Sequence, residues 1–426
     1  MHNRPSHMPF ERVTLMLSVE EALERILAQI TPLPAINISL ADSQGLVLAQ
    51  DIVAHDDNPP FANSAMDGFA LLSKDSRPQN GQPARLRIIG GVAAGYVAGE
   101  AVQEGTAMRI MTGAPVPPGA DTVIQVELTR SDGPNSEWVE ILHEVPVGNN
   151  IRPAGEDIHA GQVVLHAGTE IGPWEIGILA TLGYPTIPAI RRPRVAILGT
   201  GDELVDVAEP LTPGKIRNSN SYLLEAAVRR GGATPLRLGV ARDTVESLRE
   251  KFTEAVTCDL ILTSGGVSVG DFDLVKDIMQ ERGEMNFWRI NMRPGKPVAF
   301  GHIQNVPLLG LPGNPVSSAV TFELFARPVI RKMMGQTRLY KPQINVIVED
   351  GVQDTAMRRH YVRAFVELQN GRFVAHTTGN QGSNILTSLL HVNAFVIVPE
   401  GGFTVKPGDT AKAMMLNWDE VKEMQA

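Results

Sequence analysis

The chain has 426 residues, 43% of them apolar and 20% charged, and a net charge of −9. That length exceeds one ordinary core, so several domains are expected, with the composition of a globular protein. An acidic chain offers no general field for nucleic acid or anionic lipid, a lone cysteine (Cys258) excludes an intrachain disulfide and a cysteine-rich zinc site, and no apolar run reaches the ~18 residues of a membrane span.

In chain order, residues 18–30 predict a helix. Ser18 and Glu21 form a capping box, and Val19, Ala22, Leu23, Ile26, Leu27 and Ile30 make one apolar stripe. The opening residues lack the apolar core of a signal peptide, so the expected location is the cytoplasm. Between about 46 and 145, short alternating runs at 85–89, 107–111, 122–127 and 138–142 are broken by Gly and Pro, which predicts a β-rich module. Its loops at 59–71 (PPFANSAMDGFAL) and 109–121 (RIMTGAPVPPGAD) carry polar groups, as does NNIRPAGEDI at 149–158.

Residues 193–334 alternate strand and helix, which predicts a mostly parallel sheet covered on both faces. The apolar run 260–262 is followed by Thr263-Ser264-Gly265-Gly266, then by Ser268, Gly270, Asp271 and Asp273 at the start of a helical pattern. A strand, a Gly-rich turn and a helix N-terminus together make a natural cradle for an anion. The plainer alternative is a tight turn with Asp271 or Asp273 as a cap. Pro315 suits the first turn of a helix, and Pro328 is expected to kink or break it. Residues 336–426 return to short strands, at 343–348, 361–368, 372–376, 394–398 and 410–415, as in a small barrel or sandwich.

The strand ends of the α/β region carry Thr200, Asp202, Glu203, Asp243, Ser264, Ser268, Asp271, Asp273, Arg293 and Lys296. Carboxylates alone repel a phosphate. With Mg²⁺ they form a site that takes phosphate oxygens, while Arg and Lys neutralise the rest. The set therefore predicts a phosphorylated or nucleotide ligand. A competing motif is Gly266-Val267-Ser268-Val269-Gly270, which matches the nucleophile elbow of serine hydrolases and leaves Ser268 as a remote alternative nucleophile. Against it, Thr263–Gly265 intervene between strand and motif, and no H-G-G-G loop lies upstream.

NSAMDGFA, RIMTGAPVPPGAD, RPAGEDI, TGDEL, TSGGVSVGDFD, RPGKPVAFG and GLPGNPVS occur in one order along the chain. In these motifs the chain resembles the molybdopterin molybdenumtransferase family, which includes the gephyrin E-domain, over essentially its whole length. The resemblance implies a multidomain α/β plus β fold. Its parts would be an elongated N-terminal scaffold (residues 1–50 and 146–190), a β-rich inserted module (51–145), an α/β molybdopterin-binding domain with a mostly parallel sheet (191–335) and a C-terminal β-barrel-like domain (336–426). It implies a cytoplasmic transferase of molybdenum-cofactor biosynthesis, which inserts molybdate into adenylylated molybdopterin with Mg²⁺ and releases AMP. It implies a homodimer with the cleft shared between subunits, and the molybdopterin adenylyltransferase as a further partner.

By matching motif positions, Asp67 and Thr112 would come from the partner subunit, and Glu203, Asp243 and Asp273 would be the catalytic and metal-binding acids. Ser264, Gly265, Gly266 and Ser268 would cradle the phosphate. Arg289, Arg293 and Lys296 would bind anionic groups including molybdate, beside Pro312, Pro315, Arg363 and Ser383. Some relatives carry Lys at Arg289 and Arg293, so here a planar fork replaces a point charge. A tungstate-inserting relative and a non-catalytic scaffold of the same fold stay open as alternatives.

Overall fold

Leu260, Ile261 and Leu262 are fully buried at the centre of a seven-stranded sheet, as an apolar run without alternation requires. The computed structural model describes residues 16–79, 81–133, 135–265, 285–353, 357–418 and 423–424. The described residues divide into two units, one formed by those up to Ile36, Gly45–Val47 and those from Pro188 onward, and the other by Asn37–Gln44 and Leu48–Ile187.

In the first unit the sheet runs in the order Met16–Leu17, Met285–Ile290, Pro297–Ile303, Val306–Leu311, Leu260–Ser264, Arg194–Thr200, Thr234–Ala241. Leu260–Ser264 pairs in parallel with both neighbours, with Ala196 opposite Ile261 and Ile261 opposite Leu308. Pro297–Ile303 is antiparallel to both of its neighbours, so the sheet is mostly, not wholly, parallel. The helix Val245–Ala255 buries Leu248 and Phe252 against Leu198, Leu238 and Ile261. Each such side chain contributes ~1.5–3 kcal/mol of burial. Thr244 caps this helix and Asn218 caps Ser219–Arg230.

The N-terminal helix is Val19–Leu27, with the Ser18–Glu21 capping box in place. It is shorter than its apolar stripe. The amides of Gln29 and Ile30 reach back three residues, to Ile26 and Leu27, so the last turn tightens before Thr31-Pro32. Further on, Pro315–Thr321 and Arg327–Met333 are joined by a π-turn, Phe322–Ala326. That irregularity sits just ahead of Pro328, which lacks the amide a regular helix would use.

The C-terminal strands close into a ring. Arg359–Gln369, Arg372–Thr377, Gln343–Val348, Thr410–Met415 and Ala394–Val398 follow one another, and the last pairs back to the first. Val346, Val362, Val366 and Val396 fill the interior. The second unit is built on a six-stranded sheet in the order Thr129–Arg130, Trp138–Ile141, Ala84–Val92, Thr106–Ile110, Gly68–Leu71, Thr122–Gln125. Its two faces carry separate cores, one around Phe69 and Ile124 and one around Met108 and Val123. This is the β-rich module its alternating runs predict.

Candidate active site

Two parallel strands end side by side at Thr200 and Ser264, and the chain must turn away without separating them. Gly265 does this with φ of +93°, and a Cβ there would meet the Thr200 carbonyl oxygen at 2.7 Å. The Gly265 amide donates to the Leu311 carbonyl (3.1 Å), so this glycine gives the site room and no free donor. A cavity of about 1150 Å³ opens over these strand ends.

One wall is acidic. Glu203 and Asp243 line it, and the backbones of Asp202 and Asp243 are tied by reciprocal bonds to each other's carboxylates at 3.2 and 3.3 Å. Neither Glu203 nor Asp243 makes an ion pair among the described residues. Arg293 and Lys296, from the turn between two antiparallel strands, form a cationic wall with Arg358 from the barrel. Pro312, Asn314 and Pro315 supply a third side, and Ser383 reaches in from a barrel loop. Asn314 Nδ2 donates to Ser383 Oγ (3.3 Å) and the Val316 amide to the Ser383 carbonyl (3.2 Å), so the two loops are fastened together. Thr200 Oγ1 and Asn220 Oδ1 are buried in this lining without a hydrogen-bond partner among the described residues.

Arg363 lies behind this lining. It is fully buried, donating from Nε to Ser388 Oγ (3.0 Å) and from Nη2 to the carbonyls of Asn380 (3.2 Å) and Gly382 (3.1 Å). Burial, with Arg293 nearby adding repulsion, brings its guanidinium down to about 10, so it keeps its charge at neutral pH. It shapes the loop that carries Ser383. Arg289 is exposed between the buried Trp288 and Ile290 and stands opposite Pro297, which lines the cavity, but Arg289 is not itself among the lining residues. Gly266, Ser268, Asp271 and Asp273 lie outside the described residues.

In the second unit, Thr112 donates to Asp67 Oδ1 from both its amide (2.7 Å) and its hydroxyl (2.9 Å). These bonds hold the Asp67 carboxyl below its ordinary range. The sequence patterns did not single out Asn220, Arg358 or Gln381 as cavity residues. Asn220 reads as part of a helix start, and the other two arrive from a domain distant in sequence. A second cavity, of about 1310 Å³, is lined by the Val19–Leu27 helix, the Phe322–Met333 region and the barrel, and none of the described residues of the seven motifs lines it.

Three family regions match in tandem: the MoeA N-terminal region (domains I and II) over residues 17–183, a probable molybdopterin binding domain over 196–332, and the MoeA C-terminal region (domain IV) over 345–416. The chain belongs to the molybdopterin molybdenumtransferase family. It is 37% identical over 391 residues to the molybdopterin molybdenumtransferase of Bacillus subtilis, with 91% of each chain covered. It is 34% identical over 400 residues to the enzyme of that name from Haemophilus influenzae, covering 93% of this chain and 97% of the relative. A crystal structure of a molybdopterin biosynthesis moeA protein from Pyrococcus horikoshii superposes with a TM-score of 0.80 at 29% identity, over 95% of this chain and all of that one. This chain and that relative share one fold.

Among the described residues no group of three His, Cys, Asp or Glu side chains could enclose a metal ion. Two carboxylates on one wall without cationic partners fit the way Mg²⁺ binds through substrate, with one or two protein carboxylates, phosphate oxygens and water. Glu203 and Asp243 are the residues that would hold it. No helix among the described residues is long and apolar enough to cross a membrane.

Proposed function

We propose that the protein inserts molybdate into an adenylylated molybdopterin, with Mg²⁺, and releases AMP. Family membership supports the transferase activity. The observation that carries the finer reading is the division of the cavity into an acidic and a cationic wall, inside the region matching a molybdopterin binding domain. A phosphoanhydride joined to a metal ion needs both. Arg293 and Lys296 would bind the oxyanions of phosphate and molybdate, and Glu203 and Asp243 would orient the metal-bound anhydride. Bound Mg²⁺ would supply Lewis-acid stabilisation of charge on the leaving AMP. The outcome balances when the two dithiolene sulfurs displace oxide oxygens of molybdate, which leave with protons as water, while the oxygen of one water ends the cleaved phosphoanhydride, leaving the pterin phosphate and freeing AMP.

The proposal includes a homodimer in which Asp67 and Thr112 of one subunit serve the cavity of the other. It is supported by an exposed apolar rim beside that pair: Met66 is 36%, Met111 47% and Val126 43% exposed. The Val126 amide bonds to the Asp67 carbonyl, so the rim and the carboxylate share one surface. The proposed location is the cytoplasm.

Incubation with adenylylated molybdopterin, molybdate and Mg²⁺ tests the reaction: AMP should appear only when molybdate is present. AMP release that ignores molybdate would defeat the reading. Glu203→Gln and Asp243→Asn should each raise the Mg²⁺ concentration needed for half-maximal AMP release, by about tenfold for a lost charge-assisted ligand.

A further inference from the structure

Asn220, in the first turn of the Ser219–Arg230 helix, is 9% exposed and lines the cavity. Its Nδ2 donates to Ser264 Oγ and to the Gly313 carbonyl, both at 2.7 Å. A carbonyl only accepts, so Gly313 fixes which end of the amide is nitrogen. Both amide hydrogens are then spent, and Oδ1 has no partner among the described residues.

A serine hydroxyl has one hydrogen and two lone pairs. Because Asn220 donates to it, Ser264 cannot turn its hydrogen toward Asn220. No other acceptor among the described residues takes that hydrogen, and Ser264 is 3% exposed in the cavity wall. A buried donor left without an acceptor is costly unless a ligand completes it.

We propose that Asn220 is a positioning residue: it fixes the Ser264 hydroxyl as a donor into the cavity, for a phosphoryl oxygen of the ligand. The same amide ties Ser264 to Gly313, so the Leu260–Ser264 strand end and the 312–315 loop move as one wall. The inference rests on the reading of the cavity as a phosphate site. A plain structural staple would act equally through Gly313 and would not depend on the serine hydroxyl.

A double-mutant cycle separates the two, with AMP and Mg²⁺ as the probe and calorimetry on the full chain. Ser264→Ala and Asn220→Ala should each weaken AMP binding by about tenfold, the scale of a hydrogen bond to a charged group. The double variant should lose no more than Ser264→Ala alone, since Asn220 acts through that hydroxyl. N220D keeps the side chain's size but takes the serine hydrogen for itself, so it should bind AMP at least as weakly. It also keeps the test open where Asn220→Ala fails to fold. Additive losses in the cycle, or wild-type affinity in both Asn220 variants while Ser264→Ala is impaired, would overturn the inference and leave the phosphate reading standing. A wild-type protein that binds neither AMP nor inorganic phosphate overturns both.

Discussion

Asp67 titrates low because one neighbour serves it twice. The Thr112 amide is the larger influence on its low titration and the Thr112 hydroxyl the next. A carboxyl depressed in this way adds stability above its unfolded pKa, and the gain disappears as pH falls through the folded value. Thr112→Ala removes the hydroxyl and leaves the amide. The Asp67 midpoint should therefore move part of the way up toward 3.8, read by an NMR titration of the side-chain carboxyl. An unchanged midpoint would mean that the hydroxyl contributes nothing. For the proposed cleft this matters at neutral pH mainly through orientation, because Asp67 is ionised with or without Thr112.

At the scale of elements, Gly68 shows how a backbone approach can be the whole requirement. It pairs with Gln125 on one side and Ile110 on the other, and a Cβ there would lie 1.9 Å from the Ile124 carbonyl oxygen. Gly68→Ala must push two strands apart beside Asp67. We expect a loss of about 2 kcal/mol or more, measured by urea unfolding, with a stability equal to wild type refuting the argument. Much of this level was legible in the sequence. Unalternated Leu260-Ile261-Leu262 required a strand buried on both faces, and Ser18 with Glu21 marked a helix start. Antiparallel pairing of Met285–Ile290 with Pro297–Ile303 was not legible, because strand direction inside an alternating pattern is set by the turn between them. Arg289 reads as a site cation in the motif; it is exposed on the strand opposite the cavity-lining Pro297 but is not itself among the lining residues. Asn220 was hidden differently. A helix-capping sequence gives no sign that one of its residues spans to a strand end 44 positions away.

Across the whole molecule, the cavity draws on residues from Thr200 to Leu386 that no local pattern unites. Sedimentation velocity checks the proposed dimer. Met111→Glu places a charge on the exposed rim next to Thr112, and should shift the protein toward monomer and reduce AMP release while leaving the unfolding midpoint near wild type. A dimer that survives the change would place the contact elsewhere. The C-terminal ring has its own consequence for biosynthesis. Thr410–Met415 is the stave that joins Gln343–Val348 to Ala394–Val398, and without it two raw margins face water. A ribosome that has yet to make those six residues holds an open sheet, ready to zip onto any neighbouring nascent chain. Losing that stave would therefore turn a shut cask into adhesive, and the cost would appear as aggregation before it appeared as lost activity.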